Sequence, residues 1–226
     1  MPFLLKFTKL MKSEPKRKRK IGNLWVMDES KCLSAEEIRK LRQHCKNERE
    51  LGIQEKKFSK VRNWFMIELA LNAGLRVEEM ASLKHKNLLL DGARSSILVT
   101  GKGEKRRAVW ISTKFKDECL EYIKYKRDFA YPTDEDSYLL NNLKGTKITK
   151  RALQKFFKNI LRETNLPPHY YIHCLRHTYS TFFLKASQNN YRFLQNQLGH
   201  SSMTTTQVYA AVVESEGRRA LENLFK

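Results

Sequence analysis

The chain has 226 residues, 41% hydrophobic and 11% aromatic, with only 9 Gly and 5 Pro. That is enough apolar mass for one packed domain with an appendage, and the wrong composition for a low-complexity polypeptide. Lys and Arg number 44 against 24 Asp and Glu, a formal net charge of +20, and a compact body with that charge repels itself unless a polyanion binds it. The expected partner is nucleic acid, well ahead of an anionic membrane surface.

No segment approaches the roughly 18 continuous apolar residues of a membrane span. The opening MPFLLKFTKLMK is too short an apolar stretch for a signal peptide. The expectation is a cytoplasmic protein without a membrane partner, nucleoid-associated when on DNA. Cys32, Cys45, Cys119 and Cys174 form no CxxC pair and no regular spacing, which predicts free thiols rather than a disulfide frame or a zinc site.

Residues 1–32 read as a flexible basic arm. Between Lys6 and Glu29 stand eight Lys or Arg against three acids, including the run Lys16-Arg17-Lys18-Arg19-Lys20, suited to contacting phosphates. A packed domain is expected from Leu33. Ser34-Ala35-Glu36-Glu37 is a capping box opening a helix with Ile38, Leu41 and Cys45 on one face. A second helix is predicted over 59–72, its wide apolar surface marking it as central. Gly74 stops it, and a short helix is predicted over 76–83.

The β signal follows. Residues 88–90, 97–100 and 108–111 are short apolar runs, and the last two flank Gly101-Lys102-Gly103-Glu104-Lys105. A small antiparallel sheet with a tight hairpin is predicted. Helices are expected again over 114–127 and 149–163, with a loop over 131–142 between them and a break at Asn165-Leu166-Pro167-Pro168. Helices fill most of the remainder. Ser187-Gln188-Asn189-Asn190 reads as a turn in which Asn adopts the left-handed conformation. The class is mainly α with a small antiparallel β-sheet.

Four separated segments hold polar residues that local structure does not require: Gly74-Leu75-Arg76-Val77-Glu78-Glu79, Lys102 at the hairpin tip, His173-Cys174-Leu175-Arg176-His177-Thr178, and Leu198-Gly199-His200 with Tyr209 nine residues beyond. His173 and Arg176 fall on one helical face. Phosphodiester transfer without metal needs such groups. Two guanidinium forks hold the non-bridging oxygens. A tyrosine of intrinsic pKa about 10 attacks once cations surround it and a base takes its proton. A histidine serves as that base, and a lysine on a hairpin entering the groove protonates the leaving 5′-oxygen. No acidic metal cluster stands near these segments.

The segments GLRVEEMASL, VTGKGEKRR, HCLRHTYST and LGHSSMTTTQVYA resemble the motifs of the tyrosine recombinase (phage integrase) family, in that family's order. The resemblance spans about Leu33 to Lys226 and implies that family's catalytic-domain fold. It also implies that Arg76 and Arg176 clamp the scissile phosphate, Lys102 is the general acid, His173 the general base and His200 a phosphate hydrogen-bond donor. Tyr209 then forms a 3′-phosphotyrosyl link, Glu79 helps hold the site together, and no metal or nucleotide cofactor is needed. Lys105 and Arg106 beside the hairpin, with the arm, are expected to contact double-stranded DNA. The expected activity is site-specific recombination or integration, in the manner of a mobile-element enzyme.

Each residue also has a plain structural reading. Arg76 is then a helix-end surface charge, Lys102 a solubilising tip with Lys105 close enough to compete, and His173 with Arg176 a structural pair. His200 becomes a helix-start residue and Tyr209 a core aromatic. Their joint occurrence favours the catalytic reading. His177 is assigned to structure, facing away from His173 and satisfying a buried carbonyl. Two rival functions share the fold: a type IB topoisomerase that relaxes supercoils, and a non-catalytic DNA-binding regulator.

About 32 residues before Leu33 are too few for the separate helical clamp domain of typical relatives. A minimal recombinase or an isolated catalytic part is therefore expected, the initiating Met and the basic arm favouring the former. The domain is expected over 33–209. The amphipathic tail 210–226, carrying Val212, Val213, Leu221, Leu224 and Phe225, is expected to dock on a neighbouring protomer in a tetramer on DNA.

Overall fold

A computed structural model describes residues 31–91, 94–101, 104 and 106–199. The arm over residues 1–30, Lys102, Lys105, His200, Tyr209 and the tail lie outside the described residues.

Helix α1 (Ala35–Gln54) opens on the Ser34 box: Ser34 Oγ accepts from Glu37 N–H, and Glu37 Oε2 accepts from Ser34 N–H. Leu33 just before it is buried, its N–H donating to Thr178 Oγ1 at 2.9 Å. Helix α2 (Phe58–Ala73) is buried on almost every side, with Val61, Trp64, Phe65, Met66, Ile67, Leu69 and Ala70 all inside. A helix apolar all round has to be surrounded, and α1, helix α4 (Thr113–Asp128) and helix α6 (Ile172–Ala186) surround it. Phe65 stacks on Tyr122 of α4 with centroids 3.9 Å apart.

Gly74 ends α2 in the left-handed conformation, φ 58°. Helix α3 (Val77–Ser82) and a 3₁₀ turn (His85–Asn87) then lead into a three-stranded antiparallel sheet, β1 (Leu88–Leu89), β2 (Ser96–Thr100) and β3 (Arg106–Trp110), paired in that order. Beyond α4 come α5 (Lys150–Glu163), α6 (Ile172–Ala186) and α7 (Tyr191–Leu198). Leu153, Phe157, Ile160 and Leu161 form the buried stripe of α5. No disulfide joins Cys32, Cys45, Cys119 and Cys174. Among the described residues no helix is long and apolar enough to cross a membrane.

One local expectation is corrected and two are refined. Strand β3 starts at Arg106, not Ala108, and pairs through Val99↔Arg107 and Thr100↔Arg106. Apolar content cannot reveal those two arginines, although Arg107 shares the inward face of Val109. The segment 131–142 is more than a surface loop: Leu139 and Leu140 are fully buried, Tyr138 bridges to Lys84, and the Tyr138 carbonyl accepts from the buried Lys126 Nζ. In the turn after α6, Gln188 as well as Asn189 takes positive φ.

A Cβ at Gly74 would lie 2.3 Å from the Tyr179 ring, in a backbone conformation that side chains avoid. Gly74→Ala should therefore cost at least about 2 kcal/mol of folding stability, measured by urea unfolding; a loss below about 0.5 kcal/mol would contradict this packing.

Candidate active site

The site forms where α2 stops. The left-handed turn at Gly74 swings the chain so that Arg76 sits at the head of α3, and one turn on, Glu79 points back under it. Arg76 donates its backbone N–H to Glu79 Oε2 at 2.8 Å and its guanidinium Nη1 to Oε1 at 3.0 Å. From β3, Arg107 approaches the same carboxylate as a fork, Nη1 to Oε1 and Nη2 to Oε2, both at 2.9 Å. Those four donors match the roughly four lone-pair positions a carboxylate offers. Glu79 is almost fully buried, its side chain 5% exposed.

Burial raises the Glu79 carboxyl, but the Arg107 hydrogen bonds and charge, the Arg76 N–H and the Arg176 charge outweigh it and hold the group below the usual carboxylate range. Glu79 is therefore a buried anion among three cations.

Arg176 rises from the first half of α6 and is 2% exposed. Its Nη1 donates to the Gly74 carbonyl at 2.7 Å, its Nη2 to the Leu198 carbonyl at 2.9 Å, and it stands 3.9 Å from Glu79. Both carbonyls lie at helix C-termini, the negative ends of α2 and α7. A buried guanidinium is thereby satisfied and also ties two helix ends together. Arg76, by contrast, keeps 41% of its side chain exposed. Three guanidinium groups against one carboxylate leave a positive excess that reaches the surface at Arg76, the electrostatics of an anion site.

His173 lies one turn before Arg176. Burial first, then the Arg176 and Arg76 charges, push its imidazole down to about 4, so it is neutral near pH 7. A neutral imidazole beside a cationic clamp can accept a proton. His177 does not face away from His173. The rings meet edge to face with centroids 4.7 Å apart, because residues four apart share a helix face. Burial and the His173 and Arg176 charges also push His177 down to about 4.

The structure thus brings Arg76, Glu79, His173 and Arg176 together, and leaves Arg106 exposed at the start of β3. Lys102, Lys105, His200, Tyr209 and the run Lys16–Lys20 lie outside the described residues. Two residues were missed by sequence reasoning. Arg107 is one; its inward position two before Val109 was the available signal. The other is Gln197, whose side-chain amide pairs with β3 as a strand would, accepting from Trp110 N–H at 2.8 Å and donating to Trp110 O at 3.0 Å. Among the described residues no group of three or more His, Cys, Asp or Glu is placed to hold a metal ion.

A sequence model described as the phage integrase family matches residues 31–216. Among curated proteins, the tyrosine recombinase XerC of Vibrio atlanticus (strain LGP32) is 33% identical over 159 residues, covering 70% of this chain and 50% of the relative. XerC of Bacillus pumilus (strain SAFR-032) is 30% identical over 161 residues, 70% of this chain and 52% of the relative. The chain spans about half the length of the curated relatives it matches. Among solved structures, the XerH site-specific recombinase bound to palindromic difH substrate in a post-cleavage complex has a TM-score of 0.70 at 25% identity, covering 86% of this chain and 53% of that one.

The depressed histidines make stability depend on pH. His85, pushed down to about 4 by burial and the Lys126 charge, joins His173 and His177. Unfolded, each binds its proton near 6.5, so the unfolded state holds more protons between about 6.5 and 4 and stability falls as pH drops through that window. Glu79, held low, adds a loss only below the usual carboxylate pKa. The urea midpoint should fall steadily from pH 7 to 4.5, less steeply in His177→Gln. A flat profile would contradict the burial of these rings.

Proposed function

This chain belongs to the phage integrase family, and from that premise we propose that it is a site-specific DNA recombinase acting in the cytoplasm through a covalent tyrosyl intermediate. The observation that carries the reading is the convergence of Arg76 and Arg176 on the buried Glu79, beside the neutral His173. That arrangement suits a phosphodiester whose charge grows during transfer.

In this reading the scissile phosphate lies against the Arg76 and Arg176 guanidinium groups. Tyr209 Oη attacks phosphorus while His173 takes its proton. The P–O5′ bond breaks, Lys102 protonates the leaving oxygen and His200 donates to a non-bridging oxygen. A 3′-phosphotyrosyl link and a free 5′-hydroxyl result. Attack by a 5′-hydroxyl from a partner duplex reverses the step and releases Tyr209. One phosphodiester is exchanged for another, so the cycle needs no nucleotide hydrolysis.

Double-stranded DNA is the proposed partner, supported by the +20 charge and by the likeness to XerH site-specific recombinase structures bound to difH substrate. Lys105, Arg106 and the arm residues Lys16, Arg17, Lys18, Arg19 and Lys20 are assigned to its backbone. The tail 210–226 is assigned to contact between protomers of a tetramer on DNA. Strand exchange rather than relaxation is favoured by the likeness to XerC and XerH.

The test is incubation with a pool of nicked duplexes carrying a randomised core, from which the short 5′-hydroxyl fragment escapes after cleavage. A protein–DNA adduct stable to denaturation should form and be absent in Tyr209→Phe. An adduct of equal yield in that variant, or none with the parent chain, would overturn the reading.

A further inference from the structure

Arg107 is the residue that the mechanism above leaves without a task. It is a charged side chain on the inward face of a strand, in line with Val109 and directly across from the buried Val99, where burying an unpaired charge is costly. Only 12% of it is exposed, and its polar head is occupied on three sides: Nη1 and Nη2 on the two Glu79 oxygens, and Nε on the Gln197 carbonyl at 2.9 Å. The fork is bidentate and planar, so it fixes the rotation of the carboxylate as well as its position.

The surroundings are shaped to this side chain. Gly199, left-handed at φ 64° as the cap of α7, lies against it, and a Cβ there would fall 2.8 Å from Arg107 Cδ. Gln197, two residues before that cap, clasps Trp110 three residues along the same strand. The C-terminus of α7 is thus fastened to β3 at both Arg107 and Trp110, and it is also the helix end whose Leu198 carbonyl accepts from Arg176.

We propose that Arg107 is a positioning residue for the phosphate clamp: by locking the Glu79 carboxylate and the end of α7, it sets the orientation of Arg76 and Arg176 toward the scissile phosphate. The inference rests on the recombinase reading above. Arg107 itself touches neither DNA nor the reacting atoms. Its effect passes through Glu79, which accepts from Arg76 and faces Arg176, and through the helix end that Arg176 holds. A lysine keeps the charge but presents no fork, so it cannot hold both Glu79 oxygens and the Gln197 carbonyl together.

The experiment uses the full chain and the duplex that the parent selects from the randomised pool. Arg107→Gln and Arg107→Lys are compared with the parent in single-turnover adduct formation, DNA affinity and thermal unfolding. Three substrates are used: the natural phosphodiester, a methylphosphonate whose scissile group carries one negative charge fewer, and a 5′-bridging phosphorothiolate whose leaving group needs no proton. On the phosphodiester, Arg107→Gln is expected to slow cleavage by about 100-fold and Arg107→Lys by at least about tenfold, with affinity within about threefold of the parent.

The deficit should shrink on the methylphosphonate, where the clamp matters least, and persist on the phosphorothiolate. Equal deficits on all three substrates would reduce Arg107 to a structural role and overturn the proposal. A deficit that vanishes on the phosphorothiolate alone would move its action to the hairpin and also overturn it. If Arg107→Gln does not fold, Arg107→Lys decides alone, and parent-like cleavage by it counts against the proposal. Failure of the parent to form any adduct is a different result, which removes the recombinase reading itself.

Discussion

Three guanidinium groups point at the Glu79 carboxylate, and the arrangement of the site depends on that one buried anion. Without it, Arg76, Arg107 and Arg176 would be like charges brought close together at a place where two of them are shielded from water. With it, each comes from a different element and finds a fixed position: Arg76 from the head of α3, Arg107 from β3, Arg176 from α6. The carboxylate does not neutralise them. The positive charge left over is available to a phosphate, and the fixed geometry means that little has to reorganise when one arrives.

The same contacts join the domain's parts. Arg176 ties the ends of α2 and α7 through the Gly74 and Leu198 carbonyls, and Arg107 with Gln197 ties α7 to the sheet. The helix end held in this way leads directly toward His200 and Tyr209 in the chain. Two left-handed glycines, Gly74 and Gly199, sit at these junctions, where a side chain would collide with Tyr179 and Arg107 respectively. Among the described residues the clamp is therefore built from helix ends and one strand, which favours its precise placement.

Much of this was legible in the sequence because it is written in local codes. The Ser34 box, the apolar run of α2 and the stop at Gly74 each depend on neighbours within a turn or two. Arg76, His173 and Arg176 were legible as a set because their residue types suit one chemistry, and Glu79 only through the family resemblance. What was not legible depends on partners far along the chain. Arg107 meets groups 28 and 90 residues away, and in a strand its charge reads as an outward-facing residue. Leu139 and Leu140 were hidden among Pro and acids although both are fully buried. His177 was misplaced for a simpler reason: a spacing of four on a helix brings rings together rather than apart.

Glu79 is the ionised centre that three arginines require. Urea unfolding of Glu79→Gln at neutral pH tests it most directly, since the substitution keeps the shape and removes the charge. The buried Arg107 and Arg176 would then lack their counter-ion, and the predicted loss is about 3 to 5 kcal/mol. A variant within about 0.5 kcal/mol of the parent would contradict the claim.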